Sequence, residues 1–457
     1  MTINGIRHRY EKRKIDKIEL FMIFILNFIF LFHEMMNNLI IFSFGITWFF
    51  WFLIRNKRKY TYIQIFSFLL CIYVPSSFVS ILGTSYSSLP ITWFNLILFC
   101  IVIIILTKGF KPNFYFYSII IFFLFGFSTL FQSIDVTDTL KQLFTIILFL
   151  TSFFIGDNLI RFSDDHFLLK LKRYYIISVV SFSTVVFIQR GVYEVFSLSL
   201  GNLEVIGQSR IVSAGTMGDY SFATLYIATG LMIILLDYFN GKKVGFLSFI
   251  FLEVYLILSI LAVNSRTGLF AFLLVSAIYL LLKLLKGNLK AIFILASALL
   301  VIPSIFQYII ASRGGQPIFE GSGRFDLIII SYKIFAENPF FGVGLGIANW
   351  TNITGMVLPH NMIAQYLVQL GIFGSILFYS NFLYLLKRYL KYKSELFWVL
   401  IVILIGAMVI PDIVSSRFLT VIVIITILSS DSNRQLINRR QDNEESRKNI
   451  TVKHKVV

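Results

Sequence analysis

The chain has 457 residues, of which 57% are hydrophobic and only 14% are charged, and its net charge is +17. This balance excludes a soluble globular protein and indicates a chain that crosses a membrane many times. The basic excess is therefore interpreted first through the positions of the charges along the chain, before nucleic acid is considered as a partner.

Apolar runs recur from end to end of the chain. A transmembrane helix needs roughly 17 to 25 largely apolar residues, which predicts about fourteen spans, or twelve if the shortest runs do not cross. The predicted spans are 18–32, 39–54, 61–82, 91–107, 114–131, 140–155, 174–189, 221–239, 244–263, 267–285, 291–310, 362–386, 396–410 and 418–428. The predicted fold class is all-α and polytopic.

The predicted transmembrane domain occupies residues 18–430, between two polar tails. Residues 1–17 form a basic N-terminal tail, and the apolar run behind it lacks a small-residue cleavage pattern, which predicts an uncleaved first span. Residues 431–457 are polar and mixed in charge, which predicts a disordered tail. Both tails are expected in the cytoplasm.

The basic residues are distributed unevenly between alternate connections. With both termini inside, most of the 40 Lys and Arg residues fall on the cytoplasmic side, as the positive-inside rule requires. Eight fall on the other side: Lys141, Arg190, Arg210, Arg266, Arg313, Arg324, Lys333 and Arg417. Six of these are arginines, whose planar guanidinium fits phosphate oxygens. The charge excess thus predicts topology, and nucleic acid is not an expected partner.

Two predicted extracytoplasmic connections are long, 190–220 and 311–361. Loops of this length are usually functional or disordered. Both keep apolar side chains, so we expect them to fold against the membrane surface. The second is expected to carry short interfacial helices and the catalytic groups.

Arg324 opens the clearest of these short helices, which ends at Asn338-Pro339. Apolar residues follow the arginine at helical spacing: Phe325, Ile328, Ile329 and Tyr332. An arginine beside the free N–H groups of a helix N-terminus forms an anion site. The alternative is an interfacial arginine that snorkels toward the headgroups.

His360 precedes a predicted span and a polar stripe of Asn361, Gln365 and Gln369. The positive end of a helix dipole favours the neutral imidazole that a general base needs. The alternative is a histidine that only caps the helix. The glycines of the preceding segment, 341–346, predict a tight re-entrant turn, because no strand–loop–helix unit frames them as a nucleotide loop.

Arg266 lies between two spans with almost no loop. A charge at the membrane centre costs about 2.5 to 3.5 kcal/mol, so Arg266 predicts a counter-anion or a wet cavity nearby. Arg210 and Arg313 are further candidates for substrate binding, with an ordinary loop charge as the alternative for Arg210. No metal and no cofactor are expected, because the outer connections lack a cluster of ligands at metal-binding spacing.

Two motifs carry a resemblance to a known family. The string His360-Asn361-x-x-x-Gln365-x-Leu367-x-x-x-Gly371-x-x-Gly374, with Arg324 and Asn338-Pro339-x-x-Gly342-x-Gly344 before it, resembles the signature region of the O-antigen ligase and polymerase superfamily. Ser265-Arg266-Thr267-Gly268 resembles the arginine motif of that superfamily. The resemblance covers residues 210–374, and the N-terminal half is similar only in topology.

The resemblance implies a GT-C-like membrane glycosyltransferase that acts on an undecaprenyl-pyrophosphate-linked oligosaccharide without a metal. By this resemblance Arg266 and Arg324 hold the pyrophosphate, with Arg210 as a third arginine, and His360 activates the acceptor hydroxyl. Asn361 orients the histidine or binds sugar, and Gln365 is a further binding residue. The aromatic residues proposed to stack on glycan are Trp350, Tyr220 and Phe319.

Three functions stay open on the sequence. The favoured one is a polymerase that joins repeat units of a capsule, O-antigen or other exopolysaccharide on the outer face of the bacterial cytoplasmic membrane. A flippase and a chain-length regulator are then the expected protein partners. The second is a ligase that moves glycan to another acceptor. A transporter of lipid-linked sugars is the third, although the chain shows no internal repeat and its polar groups cluster at one face.

Overall fold

The computed structural model describes residues 15–81, 91–163, 165–206, 210–240, 245–312 and 324–434. These segments form a helical bundle. Seven helices precede the first long connection: α1 (Lys17–Phe30), α2 (Asn38–Asn56), α3 (Tyr62–Ile72), α4 (Trp93–Thr107), α5 (Phe114–Ser128), α6 (Val136–Leu159) and α7 (Asp165–Phe196). Four follow it: α8 (Tyr220–Phe239), α9 (Phe246–Val263), α10 (Thr267–Leu285) and α11 (Leu289–Ala311).

The C-terminal part contains two short helices and the last long ones. The short helices are α12 (Arg324–Glu337) and α13 (Ile347–Thr354), and they are followed by α14 (Met362–Tyr392), α15 (Phe397–Gly406) and α16 (residues 418–434). Within the described segments, nine helices are long and apolar enough to cross a membrane, and α3, α4 and α15 are shorter apolar helices. The predicted all-α, polytopic fold is confirmed, with fewer full-length spans in this part of the chain than predicted.

Helix α8 lies at the centre of the bundle and α11 at its edge. Burial covers 83% of the apolar window of α8 but only 6% of that of α11. Helix α8 packs against α7, α9, α10 and α15, and small residues such as Ala223, Ala228 and Gly230 let these neighbours approach closely. Most of α8 is therefore enclosed by neighbouring helices.

The prediction of a span over 61–82 is wrong in length. Helix α3 ends at Ile72, two residues before Val74, whose helical conformation is disfavoured by the ring of Pro75. The chain turns inside the bundle instead, where the Pro75 carbonyl accepts a hydrogen bond from Thr216 Oγ1 at 2.6 Å.

Two other helices extend beyond their predicted ends because charged residues there find partners. Helix α7 has 32 residues and includes buried lysines: Lys172 Nζ lies 2.5 Å from Asp237 Oδ1, and Lys170 Nζ donates to Tyr60 Oη at 2.6 Å. Helix α16 continues through residue 434, past the predicted start of the disordered tail at 431.

The first long connection contains a short hairpin that the all-α prediction missed. Strand β1 (Leu203–Ile206) pairs antiparallel with β2 (Arg210–Ser213), with Leu203 opposite Ser213. Arg190 Nη1 donates to the Ile211 carbonyl at 2.9 Å, which ties the hairpin to the end of α7.

Helix α14 is interrupted at Gly371, and the glycine segment of residues 341–346 fills the break. Gly371 has φ 60° and ψ −168°, which no helix contains. The N–H groups of Val343 and Gly344 donate to the carbonyls of Val368 and Gln369 at 2.9 and 3.0 Å. Backbone groups freed by the break are thus satisfied inside the protein, as an apolar surrounding requires.

Close contact between backbones explains two of the glycines at this break. A Cβ atom on Gly342 would lie 2.3 Å from the Val368 carbonyl oxygen, and one on Gly371 would lie 2.4 Å from the Phe340 carbonyl. Both residues also have positive φ. The predicted re-entrant turn is therefore present, docked against the broken helix.

Replacing Gly371 by Ala should strongly destabilise the protein. The disfavoured backbone conformation alone costs about 1 to 3 kcal/mol, and the overlap with Phe340 adds to it. Gly287→Ala is the matched control, because Gly287 also has positive φ but has open space around its Cβ position. Thermal unfolding in detergent should show a clearly larger loss for Gly371→Ala, and equal losses would contradict the backbone contact.

Candidate active site

Arg210 is fixed to the turn that carries Arg266. Helix α9 ends at Val263, and its C-cap residue Asn264 adopts the left-handed conformation with φ 63°. Arg210 Nη2 donates to the Asn264 carbonyl at 2.7 Å, and Asn264 Nδ2 donates to the Ile211 carbonyl at 3.2 Å. Arg266 follows two residues later as the N-cap residue of α10. These contacts place the two arginines on adjoining elements.

The same turn packs directly on the N-terminal end of α8. The Gly268 N–H donates to Thr224 Oγ1 at 3.2 Å, and a Cβ atom on Gly268 would lie 2.2 Å from the Thr224 carbonyl. On the other side, Arg210 Cζ lies 5.5 Å from the centre of the Tyr220 ring. Arg210 and the Arg266 turn therefore both border the first turns of α8.

Asp219 caps α8 and connects this group to Arg324. Its carboxylate accepts the N–H groups of Ser221 and Phe222 at 2.5 and 3.0 Å. Burial raises the pKa of the Asp219 carboxyl, and the positive charge of Arg324 acts in the opposite direction. Arg324 is thus close enough to Asp219 for their charges to interact.

Arg324 begins α12, where the sequence predicts it. The buried face of α12 consists of Leu327, Ser331 and Ile334, while Phe325 and Tyr332 of the predicted apolar face are exposed. Arg324 Nε is buried and has no hydrogen-bond partner among the described residues. Arg324 thus keeps one buried donor that no described residue satisfies.

A small apolar cluster holds α12 in place. It consists of Leu327, Ile334, Trp350, Leu358 and Val368, and we call it the loop core. Trp350 is fully buried, and its Nε1 donates to the Val357 carbonyl at 2.9 Å. The suggested role of Trp350 as a stacking face for glycan is therefore wrong, whereas Tyr220 borders Arg210.

His360 is half-buried next to the loop core and immediately precedes the N-cap residue of α14. Burial lowers the pKa of His360, the positive charge of Arg324 lowers it as well, and together they bring it to about 4. The imidazole is thus neutral at physiological pH, and its Nδ1 is buried without a hydrogen-bond partner in the described part of the chain. Neutrality is the state that a general base requires.

The side chains of Asn361 and Gln365 already make hydrogen bonds within the protein. The Asn361 side chain caps α14 by accepting from Ile363 and Ala364, and its Nδ2 donates to the Met408 carbonyl at 3.3 Å. Gln365 is fully buried, and its Oε1 accepts from the Asp412 N–H at 2.9 Å. Both residues hold the start of α14 in position.

The polar stripe on α14 continues into a buried glutamine network. Gln369 Nε2 donates to Gln142 Oε1 at 3.1 Å, and Gln142 Nε2 donates back to Gln369 Oε1 at 3.0 Å. Gln142 Oε1 also accepts the Gly346 N–H at 2.5 Å. The network joins α6, α14 and the glycine segment below the histidine.

Residues 251–379 match the family model described as O-antigen ligase. This match supports the resemblance to the O-antigen ligase/polymerase superfamily. A search of curated proteins finds no match to the chain. Enzymes of this superfamily are glycosyltransferase-like ligases and polymerases, and the family implies a lipid-linked oligosaccharide as substrate.

The segment that matches the O-antigen ligase family runs from α9 into α14. It includes Arg266, Arg324 and His360, and it leaves out Arg210, which reaches the site from the hairpin. Arg313 and Phe319 lie outside the described residues.

Sequence reasoning missed two buried carboxylates near the O-antigen ligase-type site. Asp219 directly precedes the predicted span at Ser221, a position typical of a helix cap, but its interaction with Arg324 depends on the fold. Asp412 lies in a connection interpreted as a plain turn. Burial raises the pKa of Asp412 to about 7, and the positive charge of Arg417 opposes this shift.

Removing the charge of Arg324 should raise the pKa of His360. In Arg324→Gln, burial continues to lower this pKa, so we expect it to move only part of the way from about 4 toward the ordinary value. The pKa of His360 can be measured by labelling the imidazole with diethyl pyrocarbonate across a pH series. Peptide mass spectrometry then gives the extent of labelling at each pH. Lys333→Gln, which removes an exposed charge from the same helix, should leave the pKa unchanged. A His360 titration that is identical in wild type and Arg324→Gln would refute the coupling.

Proposed function

We propose that the chain is a polymerase that joins undecaprenyl-pyrophosphate-linked oligosaccharide units into a surface polysaccharide. The observation that carries the proposal is a neutral His360 held within the electrostatic reach of Arg324, at a site also bordered by Arg210 and Arg266. The charge pattern supports placing this site on the outer face of the cytoplasmic membrane, with both termini inside.

The arginines supply the charge that the leaving group needs. As the bond between the sugar and the pyrophosphate breaks, negative charge grows on the departing phosphate oxygens. Guanidinium groups fixed in advance stabilise this charge without reorganising. Arg324 and Arg266 are the proposed first contacts, with Arg210 as the third and Arg313 as a further contact.

His360 supplies the base. The oxygen of an acceptor hydroxyl attacks the anomeric carbon of the donor sugar and forms the new glycosidic bond. The bond from that carbon to the pyrophosphate oxygen breaks, and its electron pair leaves with undecaprenyl pyrophosphate. The hydroxyl proton passes to the imidazole. In this proposal Asn361 and Gln365 position the base and do not touch sugar.

Substrate binding strengthens the base. At a pKa of about 4 the imidazole is neutral but only weakly basic. A pyrophosphate bound at Arg324 offsets the positive charge that lowers this pKa. The pKa of His360 therefore rises toward its ordinary value when the donor is bound, which makes proton transfer more favourable in the complex.

The second candidate is a ligase, which the description of the matching family favours. A ligase and a polymerase share the donor half of the site and differ in the acceptor. The experiment must therefore measure the loss of product and also identify the acceptor to which the glycan is transferred.

Replacing His360 by Ala should abolish polymer while leaving repeat units on the outer leaflet. Loss of a general base lowers the rate by roughly 10² to 10⁴-fold. Surface glycan length and the sidedness of single lipid-linked repeats in cells are the two measurements. His33→Ala is the matched control, because His33 lies in another connection predicted on the same side and bonds to the Phe30 carbonyl.

Each alternative gives a different result in the His360→Ala cells. A ligase predicts full-length polymer retained on the lipid carrier and missing from its final acceptor. A transporter predicts repeats held on the inner leaflet. Either result would replace the polymerase proposal.

The pH dependence of the reaction should differ between the free and the substrate-bound enzyme. The acid limb of kcat/KM should fall near pH 4, because protonation of His360 in the free enzyme removes the base. The acid limb of kcat should lie at higher pH, since bound pyrophosphate raises the pKa. Initial rates across pH 3.5–8 would check this, and coincident limbs would contradict the coupling.

A further inference from the structure

A mainly apolar cavity with two basic lining residues lies between α4 and α6, away from the candidate active site. Its volume is about 300 Å³, and none of Arg210, Arg266, Arg324 and His360 lines it. Two of its lining residues are basic and none is acidic. The cations are Lys141 and Arg417, two of the predicted extracytoplasmic basic residues that the proposed reaction does not use.

The cavity is cationic at one end and apolar at the other. On α6 its lining runs from Lys141 to Leu148, which is seven residues or about 10 Å along the helix. On α4 the lining includes Leu96 and Phe99, and the exposed apolar surface continues along the same helix to Ile103. This arrangement matches an amphiphile with an anionic head and a hydrocarbon chain.

Lys141 is available to such a head group. It is half-buried and makes no hydrogen bond or ion pair with another described residue. Arg417 is 7% exposed and lies in a turn whose backbone has positive φ. An amine and a guanidinium at one end of an apolar cavity favour a phosphate group over an uncharged ligand.

Hydrogen bonds and charge interactions connect the lining of the cavity to elements of the candidate active site. Gln142, next to Lys141, accepts the Gly346 N–H and bonds Gln369 of α14. On the other side, Arg417 interacts electrostatically with Asp412, whose N–H donates to Gln365. The cavity is thus linked to the start of α14 through the turn of residues 407–417.

We propose that this cavity binds the pyrophosphate and the first isoprene units of the acceptor substrate. The inference rests on the proposed polymerase function. A polymerase that elongates lipid-linked glycan holds two polyprenyl pyrophosphates at once, so it needs two cationic lipid sites. The arginines near His360 hold the donor, and Lys141 with Arg417 holds the acceptor, whose sugar reaches over the 407–417 turn to the base.

The binding test uses the purified full chain in detergent, native mass spectrometry, and undecaprenyl phosphate as the probe. Wild type should bind two probe molecules. Lys141→Met, which keeps the side-chain length and removes the charge, should bind one, with at least tenfold weaker occupancy of the second. Lys141→Arg should restore the second molecule. Lys333→Met is the matched control and should bind two.

The one molecule retained by Lys141→Met shows that this variant is folded. Two molecules retained at wild-type occupancy in Lys141→Met would overturn the proposal. Displacement of the second molecule by an equal concentration of phosphatidylglycerol would also overturn it, because the cavity would then be a general site for anionic phospholipid.

A kinetic test separates this inference from the proposed function. Lys141→Met should raise the KM for the acceptor about tenfold or more, with the KM for the donor and kcat unchanged. A raised donor KM would overturn the assignment to the acceptor. If wild type binds two probe molecules but forms no polymer, the polymerase proposal and the acceptor role fail together, and the lipid-phosphate cavity stands.

Discussion

The break in α14 is the constraint on which the site depends. A helix interrupted inside an apolar bundle leaves backbone donors and acceptors that must be satisfied within the protein. The glycine segment of residues 341–346 satisfies the carbonyls of Val368 and Gln369, and the Ile372 N–H donates to the Pro339 carbonyl at 2.8 Å. These bonds fix the depth of the loop between α12 and α14. The depth of the loop in turn sets the positions of Arg324 and His360.

Electrostatics then gives the site its chemical character. The arginines lie near a helix N-terminus that is already capped by Asp219, so the local field is positive but partly offset. Burial together with this field keeps His360 neutral. In the proposed reaction, an anionic substrate would complete the charge balance around these side chains. The match to the O-antigen ligase family implies a lipid-linked oligosaccharide as substrate.

Hydropathy predicts most of the transmembrane helices. It does not predict the places where tertiary packing lengthens or interrupts a helix. The span 267–285 matches α10 at both ends, because its whole length is apolar and polar residues bound it. The extension of α7 could not be predicted, since the charge of buried Lys172 is matched by Asp237, which is distant in the sequence. The break at Gly371 falls within a continuous apolar run, so its docking partner is visible only in three dimensions.

The candidate site is predicted in outline by the order of its motifs. Arg266, Arg324 and His360 stand out because charge is rare in such a chain. The roles of Asn361 and Gln365 could not be separated from substrate contact, because a polar stripe looks the same whether it faces ligand or a neighbouring helix. The pairing of Gln365 with Asp412 comes from a turn 47 positions away. Sequence spacing carries no trace of that contact.

The loop core and the main bundle hold different halves of the site. Arg266 is rigidly attached, since backbone touches backbone where Gly268 meets Thr224. Arg324 instead depends on a handful of apolar side chains around Trp350. The Arg266 side of the site is therefore anchored to the main bundle, whereas the Arg324 side is held by the small loop core. The Arg324 side of the candidate site therefore has less packing to hold it than the Arg266 side, and it is the side that should loosen first when the protein is destabilised.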